Sequence, residues 1–323
     1  MTFYQKHSIL FTLYLFIKKT TCKNDMDKLE KRDKKPMRQE PIRQEKKHRI
    51  DSHGIERNEL LTTHVNQLSL KILDHGYFIG DRAWNQFKVM SPFGRIYYMI
   101  DDHGWLETEQ GRIDLLPGFM YLIPPYTEVN LRTERRIEKF YFHFSLRYAG
   151  MEILEGINRC FQLPLPEPLL RQIITAYHCA QLPDLLALKG IAYNTLADFI
   201  RNSLPDLSNR LVLADTYQEI YAYVDQHLSA GLSSSNVCIA LGRSYETLRR
   251  RFRQDNGITL KQYIQGRLIQ QAALQLLLTN RTISEIAGVM GFQDEFYFSR
   301  VFKQKMAYSP REYRRINAVL RRS

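Results

Sequence analysis

Glu246, Arg249, Arg250 and Arg253 recur at i, i+3, i+4 and i+7, a spacing that puts all four on one side of a helix. About fifty residues later Glu295, Phe296, Ser299, Arg300 and Lys303 line a second helix in the same way. These side chains suit the edges of base pairs. Arg donates two hydrogen bonds to guanine, Glu accepts from cytosine, and Phe or Ser meets a thymine methyl or a base edge. A row of lysines would supply mostly phosphate attraction, so the mixture itself points to sequence readout in a DNA major groove. With Ser244 at the start of the first set, these are the candidate DNA-binding positions.

Such faces need helices anchored from behind. Leu241, Leu248 and Phe252 fall on the inner side of the first set, and Phe298 and Phe302 on that of the second. The segment "LRRRFRQDNGITLKQY" (Leu248 to Tyr263) lies over "FSRVFKQKMAYSPREY" (Phe298 to Tyr313) at an offset of 50 residues, pairing Arg250 with Arg300, Phe252 with Phe302, Gln254 with Gln304 and Tyr263 with Tyr313. Upstream, "SNVCIALGRS" lies over "SEIAGVMGFQD" with one extra residue in the second copy. Each copy has the parts of a helix-turn-helix: a small residue where helices cross (Cys238, Ala287) and a turn Gly (Gly242, Gly291) free to take positive φ. One such pattern fits an ordinary helical bundle with a solvated charged face equally well. Two at a fixed offset, both with basic outer faces, favour a reader of DNA. Between them "LKQYIQGRLIQQAALQLLLT" (Leu260 to Thr279) has the period of a connecting helix, which would hold the two reading helices over successive major grooves, about 10 bp apart.

Charge is distributed to match. The chain of 323 residues carries a formal +12. Residues 1–60 hold 15 Lys+Arg against 9 Asp+Glu, residues 61–209 hold 14 against 16, and residues 210–323 hold 17 against 9. A basic C-terminal third implies a polyanionic partner, nucleic acid before membrane. The length and a 44% hydrophobic composition suit two folded domains. Cys22, Cys160, Cys179 and Cys238 form no CxxC pair and no zinc-finger spacing, so reduced thiols in a cytoplasmic protein are expected. The apolar run Ile9 to Ile17 is too short to span a bilayer, and no small-residue cleavage site follows it.

Residues 1–61, dominated from Lys23 by charged and polar residues, read as a disordered basic extension. From Thr62 to about residue 150, short alternating runs such as "GRIYYMIDDHGW", "GRIDLLPGFMYLIPPYTEVNLR" and "EKFYFHFSL" are divided by Gly and Pro turn signals, the cadence of an antiparallel sandwich or small barrel. Residues 151–203 change to the helical period, 204–213 read as a linker, and 214–318 form the helix-turn-helix domain.

The C-terminal region, about Thr216 to Arg315, resembles the DNA-binding domain of the AraC/XylS family of bacterial transcription regulators, its strongest part being "ISEIAGVMGFQDEFYFSRVFK" followed by "SPREYR". One departure is Ala307, where the family usually has Gly and the first copy keeps Gly257. If that position needs positive φ, Ala costs on the order of 1 kcal/mol. The N-terminal region resembles, more weakly, the family's cupin-like sensor domain: "LLPGFMYLIPPYTEVNL" matches its PG turn, strand and proline-bracketed loop, and "KFYFHFSL" its final strand. The resemblance implies an α+β chain of two domains, with an N-terminal antiparallel β-barrel and trailing helices followed by an all-α domain with two helix-turn-helix motifs. It also implies a barrel that senses a small molecule, often a sugar, a homodimer formed through residues 151–203, promoter half-sites as the DNA partner, and RNA polymerase as a further partner if the protein activates.

An effector pocket needs aromatic faces and a few fixed polar groups. Trp84, Arg95, Tyr97, Trp105, Tyr121 and His143 are the candidates by position, with Trp84 and Trp105 offering the largest stacking surfaces. A cupin enzyme is the competing class, but the β region has only His64, His75, His103 and His143, with no HxH pair, and "PPYTEV" stands where the pair would lie. No metal site, cofactor, catalytic residue or membrane partner is therefore expected. A non-specific architectural DNA-binding protein would explain the charge but not the β domain.

Overall fold

The computed structural model describes residues 49–50, 56–57, 59–179, 181–204 and 206–316. Most of the extension expected to be disordered lies outside them. Within it, Arg49–Ile50 (β1) and Glu56–Arg57 (β2) pair antiparallel.

Helix Glu59–Gln67 (α1) stands where strand is expected from Thr62. A tertiary contact accompanies that difference: the His64 ring stacks on Tyr148 and shares a hydrogen bond with its hydroxyl. Leu68–Gly80 (β3) begins the sheets. After a single 3-10 turn at Arg82–Trp84 come Gln86–Val89 (β4), Gly94–Asp102 (β5), Gly104–Thr108 (β6), Gly111–Leu115 (β7), Phe119–Ile123 (β8), Val129–Arg132 (β9), Ile137–Tyr148 (β10), Met151–Glu152 (β11) and Phe161–Pro164 (β12). Among the described residues these form two antiparallel sheets. One runs β3-β10-β5-β8-β12, with β11 against the end of β10, and the other runs β4-β9-β6-β7.

The expected barrel is therefore not closed, since no pairing joins a strand of one sheet to a strand of the other among the described residues. The chain changes layer in the tight connection from β5 to β6, where Asp102 takes φ 57°, and the two strands end in different sheets rather than in one continuous ladder.

Alternation along β10 assigns its two faces. Phe140, Phe142, Phe144 and Leu146 pack in a core with Ile173 of helix Glu167–Cys179 (α2) and Ile191, Leu196 and Phe199 of helix Leu182–Asn202 (α3). Tyr141 points the other way, into a core between the sheets with Tyr97, Met99, Leu106 and Leu131. The trailing helices begin at Glu167, because β11 and β12 occupy part of the stretch expected to be helical from Met151. Strand β12 pairs with β8, which would otherwise be the edge of its sheet.

Helix Ser208–Gln226 (α4) begins inside the expected linker. It is followed by Ser234–Ala240 (α5), Tyr245–Asn256 (α6), Leu260–Leu278 (α7), Ile283–Val289 (α8), Glu295–Met306 (α9) and Pro310–Ile316 (α10). Reciprocal capping bonds start corresponding helices of the two copies. Ser233 and Asn236 cap α5, and Thr282 and Glu285 cap α8. Thr259 and Gln262 cap α7, and Ser309 and Glu312 cap α10. Each box fixes a helix start and contributes about 1 kcal/mol.

The β part and the helical part share contacts. Phe93, between β4 and β5, belongs to the core of the second motif with Phe298, Phe302 and Tyr313. Gln270 of α7 donates to the Pro92 carbonyl at 3.2 Å, and Asp225 of α4 pairs with Arg147 of β10 at 2.5 Å and Arg267 of α7 at 2.8 Å.

Gly257 ends α6 at φ 71°, and Ala307 ends α9 at φ 63°. Ala307 thus carries the left-handed backbone that its Cβ disfavours, and Ala307→Gly should raise stability by about 1 kcal/mol, read as a shift of the denaturant midpoint. Phe302 is fully buried, and Phe302→Ala should cost about 3 to 5 kcal/mol in the same measurement.

Candidate nucleic-acid interface

In each copy two helices meet across a glycine turn. Gly242 takes φ 60° between α5 and α6, and Gly291 takes φ 77° between α8 and α9. Behind the turns, Val237, Cys238, Leu248 and Phe252 are buried in the first copy. Ile286, Ala287, Met290, Phe298 and Phe302 are buried in the second. The inner faces expected from sequence are accordingly covered, except that Leu241 is only half-buried.

The outer faces stay in water. Ser244, Glu246, Arg249, Arg250 and Arg253 are exposed along α6, and Glu295, Phe296, Arg300 and Lys303 along α9, with Ser299 half-buried. Ser244 sits at the N-cap of α6 without using its side chain there. Arg249 lies 3.8 Å from Glu246, a surface pair weak enough to yield to a base or a phosphate. Phe296 is 83% exposed, an apolar ring in water that a thymine methyl or sugar edge would cover. Two exposed rings not among the candidates, Tyr245 and Tyr297, lie in the first turns of the same helices. Arg300 lies 5.8 Å from the Tyr297 ring, which braces its guanidinium. Their signal in the sequence is an aromatic residue at a helix start that no inner-face position claims.

Helix α7 connects the two motifs from inside both. Leu260 and Ile264 are buried with the first motif, while Leu268, Ile269, Ala272 and Leu276 are buried with the second. The capping carboxylates of Glu285 and Glu312 are held below the usual carboxylate range, by hydrogen bonds with Thr282 and Ser309 respectively, and stay charged at the starts of α8 and α10.

The effector candidates divide. Trp84, Arg95, Tyr97, Tyr121 and His143 are all buried, and Trp84, Tyr97 and Tyr121 share the core between the sheets. Trp105 is not among them: it is half-buried, Arg112 stacks over its ring at 4.2 Å, and its indole N–H donates to Glu107 at 3.1 Å. Its neighbour Leu106 takes the inward place, as the two-residue period of β6 requires. Tyr121 is held by its own chain, its hydroxyl donating to the Asp114 carbonyl at 2.8 Å and accepting from the Leu116 N–H at 2.9 Å. Burial pushes the His143 imidazole down to about 4, against the pull of Asp74, whose carboxylate lies 3.3 Å away. Burial alone would raise the Asp74 carboxyl, but hydrogen bonds with His143 and Tyr141 outweigh it and hold it low. Lys139, absent from the sequence candidates, is buried beside them. Among the described residues no cluster of three His, Cys, Asp or Glu side chains could hold a metal ion, and no helix is long and apolar enough to cross a membrane.

The model of a helix-turn-helix domain matches residues 237–316. Regulatory protein SoxS of Escherichia coli (strain K12) is 35% identical over 97 residues, which are 30% of this chain and 91% of that protein. The xylose operon regulatory protein of the same strain is 31% identical over 96 residues, 30% of this chain and 24% of that protein. The right origin-binding protein of that strain is 33% identical over 102 residues, 32% of this chain and 35% of that protein. The matched part thus spans about a quarter and a third of the last two. Among solved structures, unsaturated fatty acid bound wild-type ToxT from Vibrio cholerae strain SCE256 superposes with a TM-score of 0.47 and 15% identity over 75% of this chain and 95% of that one, too slight a likeness to carry an inference. The relationship to SoxS covers almost the whole of that regulator, the helix-turn-helix match falls on the two motifs built above, and on that ground the chain belongs to the AraC/XylS family of transcription regulators.

Proposed function

We propose that this chain binds promoter DNA sequence-specifically through two successive major grooves, and that its β part senses a small molecule and controls that binding. The observation that carries the reading is the pair of exposed faces on α6 and α9 tied together by α7, which is buried in both motifs. The division of labour follows the sequence: residues 62–150 sense, 151–203 dimerise, 204–213 link and 214–318 read DNA. The protein acts in the cytoplasm without catalytic activity, and contacts RNA polymerase where it activates.

Ligand control needs a path from the β part to the reading helices, and the placement of Phe93 in the core of the second motif supports one. A ligand that favours one arrangement of this contact shifts the population of DNA-competent chains by its difference in affinity for the two arrangements. For self-association, Leu182, Leu185 and Leu186 of α3 are 70%, 52% and 65% exposed. They lie at i, i+3 and i+4, forming an apolar stripe that a second copy would bury. Sugars remain one effector class to screen, by calorimetry with mono- and oligosaccharides.

Selection from a random duplex library at about 150 mM salt, near physiological ionic strength, tests the central reading. It should enrich a site with two elements about one helical turn apart. Binding that only falls as salt rises, with no enriched site, would favour a non-specific architectural protein. On the selected site Arg250→Ala and Arg300→Ala should each cost about 1 to 3 kcal/mol and relax preference at one base. Equal loss on random DNA would assign these arginines to phosphates. Leu185→Glu should shift a dimer toward monomer in sedimentation equilibrium while leaving the melting temperature nearly unchanged.

A further inference from the structure

The two reading helices are built on one template but do not present the same chemistry. At the offset of 50 residues Arg250 of α6 stands where Arg300 stands on α9, Glu246 where Phe296 stands, Thr247 where Tyr297 stands and Arg249 where Ser299 stands. The inner faces correspond as well: Leu248 and Phe252 match Phe298 and Phe302, and all four are buried. Register therefore carries over from one helix to the other. A carboxylate in one copy and an aromatic ring in the other occupy equivalent places, the second position of each helix.

On α6 the face is organised by charge, with Glu246 lying 3.8 Å from Arg249. On α9 it is organised by rings. Phe292 lies 5.1 Å from Phe298 and 5.9 Å from Tyr297, and the Arg300 guanidinium lies 5.8 Å from the Tyr297 ring. This stack runs from the core of the motif out to Arg300. Phe296 shares the Arg300 face, four residues before it. It is 83% exposed, the most exposed large hydrophobic side chain among the described residues.

A single exposed phenylalanine is ordinary on a protein surface. This one stands among Glu295, Ser299, Arg300 and Lys303, on the face that would meet the groove. A phenyl ring adds nothing to phosphate attraction, so its favourable partner there is apolar. The apolar group that base pairs present in the major groove is the thymine methyl. A sugar edge would carry no base information, and an arginine that grips a guanine edge from the same face places the ring over bases. Glu246, at the same place on α6, suits the cytosine amine instead.

We propose that the two elements of the DNA site are unlike at this position: the second contains a thymine whose 5-methyl group is covered by Phe296, beside a guanine taken by Arg300, and the first contains a cytosine whose amine donates to Glu246. The proposal rests on the reading of α6 and α9 as the helices that meet bases, and it names the bases that tell their elements apart. It also fixes the direction in which the chain lies on its site. Exchanging the elements would set the methyl against a carboxylate and the cytosine amine against an apolar ring.

Deoxyuridine pairs as thymidine does and lacks only the 5-methyl group. Fluorescence anisotropy of the full chain on the selected duplex, with each thymine replaced singly by deoxyuridine, tests the proposal; the second element is the one at which Arg300→Ala relaxes preference. One replacement in that element should weaken binding about threefold to fivefold, the range for removing one buried methyl. Phe296→Ala should bind the thymine and deoxyuridine duplexes equally and melt at the wild-type temperature, since the ring is exposed. Replacements in the first element should leave affinity unchanged. If no thymine of the second element mattered, or if the penalty persisted in Phe296→Ala, the proposal would be overturned while the two-element reading stood. A selection that enriched no second element would remove that reading and the proposal with it.

Discussion

Helix α7 has no face of its own to give to water for most of its length, because it completes two cores in succession. Leu260 and Ile264 close the first motif, and Leu268, Ile269, Ala272 and Leu276 close the second. A helix of 19 residues is about 28 Å long, long enough to reach from one motif's core into the other's. The separation of the two reading helices is therefore set by side-chain packing and not by a flexible linker. Turning one motif relative to the other would expose apolar surface at about 25 cal/mol per Å². The outer faces of α6 and α9 gain their meaning from this constraint: two mixed charged surfaces become one reader only if their spacing is fixed.

The β part depends on a comparable economy in one strand. β10 gives Phe140, Phe142, Phe144 and Leu146 to the helices α2 and α3, and Lys139, Tyr141 and His143 to the opposite side. The first set holds the sheet to its helical cover, while the second places basic and aromatic groups in the space between the sheets. The same strand then reaches the DNA-binding part through Arg147, which pairs with Asp225 of α4. Asp225 also holds Arg267 of α7, so the sensor side and the connecting helix meet on one carboxylate. Phe93 in the core of the second motif adds an apolar contact between the β part and the reader to this ionic one.

Much of the helical part was legible in the sequence because its signals are local. Helical periodicity, the turn glycines Gly242 and Gly291, and the repeated offset placed α5 to α9, and the alignment of Ala307 with Gly257 marked a position that is strained if φ is positive, which its φ of 63° bears out. The β part was legible as antiparallel strands but not as a closed or open structure, because closure depends on which strands pair across long separations. Helix α1 was missed because its His64–Tyr148 contact joins residues far apart in sequence. Trp105 looked like a pocket residue by type, yet the alternation of β6 turns it away from the core. Lys139 was overlooked for the opposite reason. A lysine in a strand is normally read as solvated, and only the register of β10 against β5 shows it inside.

The most direct test of the account is the affinity of the full chain for its selected site when about 5 bp, half a helical turn, is inserted between the two elements. A reader with its helices locked by α7 cannot follow the second element to the opposite side of the duplex. Affinity should then fall to that of a site carrying one element alone. Unchanged affinity after the insertion would mean that the two motifs move independently, and would contradict a rigid connection through α7.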